Sequence, residues 1–596
     1  MTSTATAAGP RTLAALALEP SESDRTAIRF KEGSSWRTMS YRDMASTVRE
    51  LARGLMALGI ERGDRVAIFS NTRPEWTFAD LAILAVGAVT VPVYQTNSAD
   101  EAQYVLENSG AKAIFCEDGE QLDKVDEIRD RCPELQHVLA FTDADRREHV
   151  LSLDDLRGRG DDVPDERLDE RVASVEPGDL ATIVYTSGTT GPPKGCMLSH
   201  GNLTSDIAMV RRRVDFGDEA VFYVFLPLAH VLTRIVQFIA IDVGAELAFW
   251  QRDPKKLVDE IQEISPTHLP SVPRVFEKIY TKASAQAEQA GGVKLKLLRW
   301  AVGVGRKVRE LERDGKSPNP VLKAQHALAD RLVLSKIRSL FGNRIRLALT
   351  GAAPIEPDVL TFFHAAGVWV LEGYGMTETS AVATVNTIEE HRIGTVGKAL
   401  PGCEIRIGDD GEVLMKGPNI FQGYWRNEEA TNEDLKDGWL HSGDLGEIDE
   451  DGYLKITGRK KDLIITSSGK NVTPSNIENA IRQTRWVSQA VVFGDRKPYL
   501  TALITLDPDE AEALAEHVGA SGASLEELAS NEKVREEVQK AVDDANRQFA
   551  RIEQVKKFAI LPRDLSQEED ELTPTLKVKR AKVYDRHRDT FEELYA

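Results

Sequence analysis

The stretch Tyr185-Thr186-Ser187-Gly188-Thr189-Thr190-Gly191-Pro192-Pro193-Lys194-Gly195 gathers hydroxyls, glycines and one lysine directly after the apolar run Leu180 to Val184. Glycines let successive backbone N–H groups curl around an anion at no steric cost. The hydroxyls add neutral donors, and Lys194 adds a point charge suited to phosphate. The loop lacks the Gly-Lys-Ser/Thr ending of a Walker A motif, because Lys194 follows Pro193 and precedes Gly195. Its composition points to a phosphate cradle, with a plain surface loop as the alternative.

Other residues could serve the same polyanion. Glu378 closes Glu372-Gly373-Tyr374-Gly375-Met376-Thr377-Glu378 and is a hard oxygen donor suited to Mg²⁺ beside phosphates. Alone, it reads equally as a surface glutamate. Asp444, in His441-Ser442-Gly443-Asp444, could close an Asx turn or hold a ribose diol. His230 ends the apolar run from Val221 and could sit in the core or at the edge of a site. Near the C-terminus, Leu572-Thr573-Pro574-Thr575-Leu576-Lys577-Val578-Lys579-Arg580 presents cations just before a last helix.

These residues need elements to hold them. Helical periodicity over Tyr41 to Leu58, short strands at Arg65–Phe69 and Lys112–Cys116, and a helix–strand passage from Leu81 to Val91 interrupted by Pro92 predict an α/β fold with much parallel sheet. The acidic stretch 143–178 reads as a solvated linker. Strands ending in small residues, Arg346–Thr350 before Gly351-Ala352-Ala353 and Val368–Leu371 before Glu372-Gly373, put a ligand at strand C-terminal ends. Frequent turns after about 395 predict a β-rich subdomain to 457, and the charged break Gly458-Arg459-Lys460-Lys461-Asp462 marks a boundary. Residues 1–457 then form a large N-terminal domain, and 458–596 a small α+β domain.

The whole chain sets limits. With 596 residues it exceeds one hydrophobic core. A net charge of −20 and a pI near 5.2 argue against nucleic acid or bulk attraction to anionic membranes. Four scattered cysteines form no framework, which fits reduced thiols in a cytoplasmic setting. Nothing at the start resembles a signal peptide, so any membrane contact is expected to be peripheral. One stretch departs from the acidic average: residues 291–346 carry fourteen lysines and arginines against four acids. Val293, Leu297, Trp300, Val304, Val308 and Leu311 share one helical face there. The stretch reads as basic helices, part of an insertion at about 281–345, folded on an acidic protein or facing a membrane.

Taken in order from Thr38 to Arg580, these motifs resemble the adenylate-forming superfamily of acyl-CoA synthetases, peptide-synthetase adenylation domains and beetle luciferases. Arg73-Pro74-Glu75-Trp76, the run His230 to Ala240, the basic insertion and Leu572–Lys577 are similar to the long-chain fatty acid–CoA ligase branch. The resemblance implies a fatty carboxylate, ATP with Mg²⁺, and coenzyme A. An acyl-AMP forms with release of pyrophosphate, and the CoA thiol then displaces AMP. It further implies that Thr186, Ser187, Gly188, Thr189, Thr190, Gly191 and Lys194 hold the phosphates, with Thr186 and Glu378 on the metal. The adenine slot would be Gly351, Ala352, Gly373 and Tyr374, with Tyr374 stacking, and Ala353, Glu372, Gly375, Met376 and Thr377 would also bind ATP or AMP. Asp444 and Arg459 would meet the ribose and its phosphate, Lys577 and His230 would join Glu378 as catalytic residues, and Lys461 would be the hinge. One departure is that Leu576, rather than the glycine of many relatives, precedes Lys577. The same motifs would also suit a fatty acyl-AMP ligase that delivers to a carrier protein, or a CoA ligase for another acid.

Overall fold

The computed structural model describes residues 11–19, 22–142, 147–186, 192–289, 291–573 and 576–596. Two large, mainly parallel sheets dominate it. The first has seven strands in the order Val150–Ser152, His137–Ala140, Ala111–Cys116, Arg65–Phe69, Val89–Val93, Leu180–Thr186 and Lys194–Ser199. The second has nine, with Val370–Tyr374, Leu347–Thr350, His268–Ser271, Val221–Val224 and Glu246–Phe249 as its parallel centre. Helices pack between and over them. The helix Tyr41–Ala57 opens on a Ser40/Asp43 capping box and buries Met44, Val48, Leu51 and Leu55. The helix Pro74–Ala85 is apolar nearly all round and lies inside except at Glu75.

Two sequence expectations are corrected. Pro92 does not interrupt the passage after Leu81 but lies within the strand Val89–Val93, facing Ile68. Its ladder to the strand on the other side is made at Thr90↔Thr182, two residues earlier, so the missing N–H breaks no recorded pair. The stretch 147–178 is not a linker. Val150–Ser152 extends the seven-stranded sheet, and the helices Leu153–Arg159 and Asp165–Ala173 bury Leu156 and Leu168 against Tyr41–Ala57. Their acids form the outer faces of short amphipathic helices, and that charge hid the apolar spacing.

The basic stretch folds as the helix Gly292–Arg313, the helix Pro320–Ala329, a π turn at Asp330–Leu334 and the short helix Ser335–Ser339. Its apolar face is buried at Val304 and Val308 but leaves the protein at the other end, where Val293 is 82% exposed. Gly305 lies so close to the helix Pro357–Ala366 that a Cβ there would stand 2.3 Å from the Ala365 carbonyl oxygen.

After residue 400 an antiparallel five-stranded sheet forms from Glu404–Ile407, Glu412–Lys416, Leu435–Lys436, Trp439–Ile448 and Leu454–Arg459. The chain then turns through Lys460–Asp462. Beyond it, Val487–Phe493, Leu500–Leu506 and Val555–Ile560 make a three-stranded sheet with its own core of Ile477, Val492, Ile504, Val538 and Phe558. Ion pairs join this part to the helix Pro273–Gln289: Arg274 donates to Asp507 at 2.5 Å, and Lys278 pairs with Asp509.

Candidate active site

The strand Leu180–Thr186 and the strand Lys194–Ser199 are antiparallel neighbours with Thr186 opposite Lys194, so the phosphate-type loop leaves and returns at one point. Ser187, Gly188, Thr189, Thr190 and Gly191 lie outside the described residues. The return strand is tied down from behind: Trp425 N–H donates to Gly195 O at 2.7 Å and Met197 N–H to Gly423 O at 3.0 Å. Between those bonds sits Tyr424, whose ring lies 4.7 Å beneath the Lys194 ammonium. The Tyr424 hydroxyl is 2.7 Å from Glu378 Oε1 and 3.0 Å from Asp434 Oδ2, and its single proton can serve only one of them at a time. Asp434 also stands 3.6 Å from Lys194. Burial pushes the Glu378 carboxyl up, opposed by the Tyr424 hydrogen bond.

The adjacent parallel strands Leu347–Thr350 and Val370–Tyr374 end side by side, with Thr350 opposite Glu372. Thr350 Oγ1 and Glu372 Oε2 are buried there with no hydrogen-bond partner among the described residues. Burial pushes the Glu372 carboxyl up to about 8, against backbone donors at Ile355 and Gly394. Gly351 follows, then Ala352 with φ of 68° and Ala353, both exposed at the rim. Gly375 admits no side chain, because a Cβ would meet the Ala381 carbonyl oxygen at 2.1 Å. Met376 and Thr377 continue half-buried to Glu378, and Gly373 and Tyr374 are likewise half-buried.

Asp444 is not in a turn. It lies within the strand Trp439–Ile448, directly opposite Arg459 on the next strand. Cross-strand register thus aligns the pair. Arg459 Nε donates to Asp444 Oδ1 at 3.0 Å, and the Tyr374 hydroxyl donates to Oδ2 at 2.7 Å. Tyr374, from the nine-stranded sheet, and Arg459, from the five-stranded one, are thereby joined through one carboxylate.

His230 caps the helix Val231–Asp242, and its Nδ1 accepts the Leu232 N–H at 3.2 Å, which leaves the ring proton on Nε2. Burial, then the charge of Lys577, hold the imidazole down at about 4, so it is neutral at pH 7. Lys577 arrives from the small domain on a loop closed by Thr573 N–H to Lys577 O at 2.8 Å. Its ammonium is lowered by burial first and by Arg459 second, and attracted by Asp444 and Glu378. Leu576 holds φ of 61°, a left-handed conformation that glycine takes freely. Lys461 is exposed in the turn Lys460–Asp462, two residues past Arg459.

Contacts thus connect Lys194, opposite Thr186, to Glu378 through Tyr424, join Tyr374 to Arg459 through Asp444, and put Lys577 within electrostatic reach of His230, Arg459, Asp444 and Glu378; together they make the candidate active-site cleft. Sequence reasoning missed Tyr424 and Asp434. Tyr424 lies in a recognised motif, Gly417–Trp425, without an assigned role. Asp434 stands among six other acids and amides from 427 to 437, and no sequence signal separated it from them.

Two comparisons with solved structures fix the class. The adenylation domain of a carboxylate reductase from Mycobacterium chelonae superposes with a TM-score of 0.78 at 22% identity, covering 99% of this chain and 92% of that one. ATP-bound MatB from Rhodopseudomonas palustris gives 0.68 at 26% identity, covering 97% and 99%. The fold is that of adenylate-forming enzymes. The family models agree, with the AMP-binding enzyme model over residues 18–425 and the AMP-binding enzyme C-terminal domain model over 461–596. The chain belongs to the AMP-binding enzyme family. Within it, a long-chain-fatty-acid–CoA ligase of Mycobacterium tuberculosis is 41% identical over 94% of this chain and 92% of its own length. A further relative of the same description, from Xenopus laevis, is 34% identical over 96% and 82%.

Proposed function

We propose that the protein is an AMP-forming long-chain-fatty-acid–CoA ligase, and that the cleft described above is its active site. A carboxylate and a triphosphate repel each other, so cations and fixed donors must be in place where charge builds on the α-phosphate. Lys577 is the observation that carries the reading: it comes from the small domain to within electrostatic reach of Asp444, Glu378, Arg459 and His230. It would bridge the fatty carboxylate and the α-phosphate. Neutral His230 adds an oriented Nε2–H without adding a second cation beside Lys577. Asp444, held by Tyr374 and Arg459, would accept the ribose hydroxyls, and Lys194 would take the leaving pyrophosphate. The unpartnered Thr350 Oγ1 and Glu372 Oε2 fit polar edges of a base at the strand ends. Glu378 and Thr186 fit Mg²⁺, which when bound would neutralise phosphate charge. After pyrophosphate leaves, the CoA sulfur attacks the acyl carbonyl and AMP departs.

Wild-type protein should release AMP from ATP and palmitate only when CoA is present. Lys577→Ala should lower acyl-AMP formation by at least about 10²-fold and leave thioester formation from supplied acyl-AMP within threefold. Equal loss in both half-reactions would remove Lys577 from this role. Palmitoyl-AMP that accumulates and passes to a carrier protein, never to CoA, would make the protein an acyl-AMP ligase instead.

The exposed Val293, Val321, Leu328 and Leu332 beside Lys294, Lys296, Arg299, Lys323 and Arg331 support peripheral docking of the basic helices on anionic membranes, where the apolar substrate dissolves. No helix among the described residues is long and apolar enough to cross a membrane. Co-sedimentation with phosphatidylglycerol vesicles should fall when Lys294, Lys296 and Arg299 are neutralised. Unchanged co-sedimentation rejects the docking.

A further inference from the structure

Arg234 breaks one of the most apolar runs in the chain, and its guanidinium is sealed inside. Its side chain is 2% exposed and that of Asp80 0%. Nη2 donates to Asp80 Oδ1 at 2.5 Å and Nε to Oδ2 at 3.1 Å. The network is complete around this pair. Thr90 Oγ1 donates to Oδ1 at 2.8 Å and Gln237 Nε2 to Oδ2 at 3.1 Å, while Thr77 serves the Gln237 carbonyl at 2.6 Å. Trp76 and Phe238 flank the guanidinium at 5.7 and 5.5 Å. Finally, Arg234 Nη1 donates to Thr182 Oγ1 at 2.6 Å, and that hydroxyl donates on to the Thr90 carbonyl at 2.7 Å.

The three elements joined here lead to different walls of the cleft. Thr182 is on the strand that feeds the phosphate-type loop, with Thr186 ~13 Å further along it. Arg234 and Gln237 are on the helix capped by His230, and Arg234 is about one turn, ~6 Å, past the cap. Asp80 is on the buried helix Pro74–Ala85 between them. At that helix's leading end Thr72 Oγ1 donates to Leu226 O at 2.7 Å and accepts Leu228 N–H at 2.9 Å, pinning the segment that enters His230. Both partners are stiff, fully hydrogen-bonded elements, so a shift at the pair moves the cleft residues rather than being absorbed. Stability alone does not explain the pair, since well-packed apolar residues commonly replace a buried ion pair without loss.

We propose that the buried Asp80–Arg234 pair, acting through Thr182, is a positioning device for adenylation: it fixes the His230-bearing helix against the strand that carries the phosphate loop. The proposal rests on the active-site reading above. Neither residue touches substrate; each acts through the elements it joins.

The test uses the full-length chain with an apolar double replacement, Asp80→Leu/Arg234→Met, and the near-isosteric Thr182→Val, which cuts the link and leaves the ion pair. Both should stay folded and melt cooperatively, at temperatures lowered by the buried donors they leave unpaired, Arg234 Nη1–H in Thr182→Val and Thr90 Oγ1–H and Gln237 Nε2–H in the double replacement. Both should lower kcat for pyrophosphate release with palmitate at least tenfold, with KM for ATP changed less than threefold. Thioester formation from supplied palmitoyl-AMP, which does not use the pyrophosphate clamp, should stay within threefold. Hydrogen exchange of the peptide spanning 183–196, measured without substrate, should quicken in both variants. Wild-type adenylation by folded variants, or equal loss in both half-reactions, overturns the proposal. Unchanged exchange overturns it even if palmitate proves the wrong substrate, whereas a wild-type protein that makes no acyl-AMP fails the active-site reading and leaves the exchange result to decide this one.

Discussion

Glu372 ends a buried strand with one carboxylate oxygen unpartnered and its carboxyl raised to about 8. The sign of its effect follows. An acid whose folded pKa lies above its unfolded value favours the folded state protonated, so the stability penalty begins near pH 4.5, grows until about 8 and then levels. Glu372→Gln should therefore match the wild-type melting temperature near pH 5 and exceed it increasingly up to pH 8. On the ionisation term alone the gain is on the order of 4 kcal/mol or less. A constant difference across that range would show that Glu372 is not the group paying for its charge. The same carboxyl explains part of what was legible. The family resemblance gave Gly373, Tyr374, Asp444 and Lys577 expected places at a nucleotide, but a protonation state depends on burial, which neither resemblance nor spacing encodes. Tyr424 and Asp434 escaped for a related reason: their importance lies in contacts with Glu378 and Lys194 across distant segments.

Among the elements, the basic helix Gly292–Arg313 makes the clearest commitment. Its Gly305 backbone presses on the helix Pro357–Ala366 with no room for a methyl group. Gly305→Ala should cost about 1–3 kcal/mol by overpacking, despite the better helix propensity of alanine. Urea titration would show it, and a neutral or stabilising result would mean the helices separate freely. Elements with strong periodicity, such as Tyr41–Ala57 and Arg65–Phe69, were legible to within a residue. Two kinds were not. Acidic helices at 153–173 carry one buried leucine each, too little apolar signal to show a period. Pro92 reads as a strand breaker unless the register of its neighbours is known. Arg234 was visible as a charge in an apolar run, but its partner, 154 residues earlier, was not.

At the scale of the molecule, Lys577 comes to the candidate site from the part of the chain beyond the turn Lys460–Asp462. If Lys461 is the hinge, Lys461→Pro, which fixes φ in the turn Lys460–Asp462, should leave acyl-AMP formation within threefold. It should slow CoA-dependent turnover at least tenfold, measured as single turnovers from preformed acyl-AMP. Unchanged thioesterification would place the pivot elsewhere in the turn.

The ion pairs between Arg274 and Asp507 and between Lys278 and Asp509 bear on that motion. Seen from the cleft, the small domain is a tethered ligand, present at the effective concentration its short connection sets, in the millimolar range for flexible linkers. A tethered ligand needs little intrinsic affinity to dock, and a strong one would stay docked. Lys278 and Asp509 are both half-exposed or more, and pairs of that kind contribute about 0–1 kcal/mol and weaken with salt. If the small domain turns about Lys461, a contact this weak at Lys278–Asp509 would leave the lysine's occupancy to the tether and to the better buried Arg274–Asp507 pair.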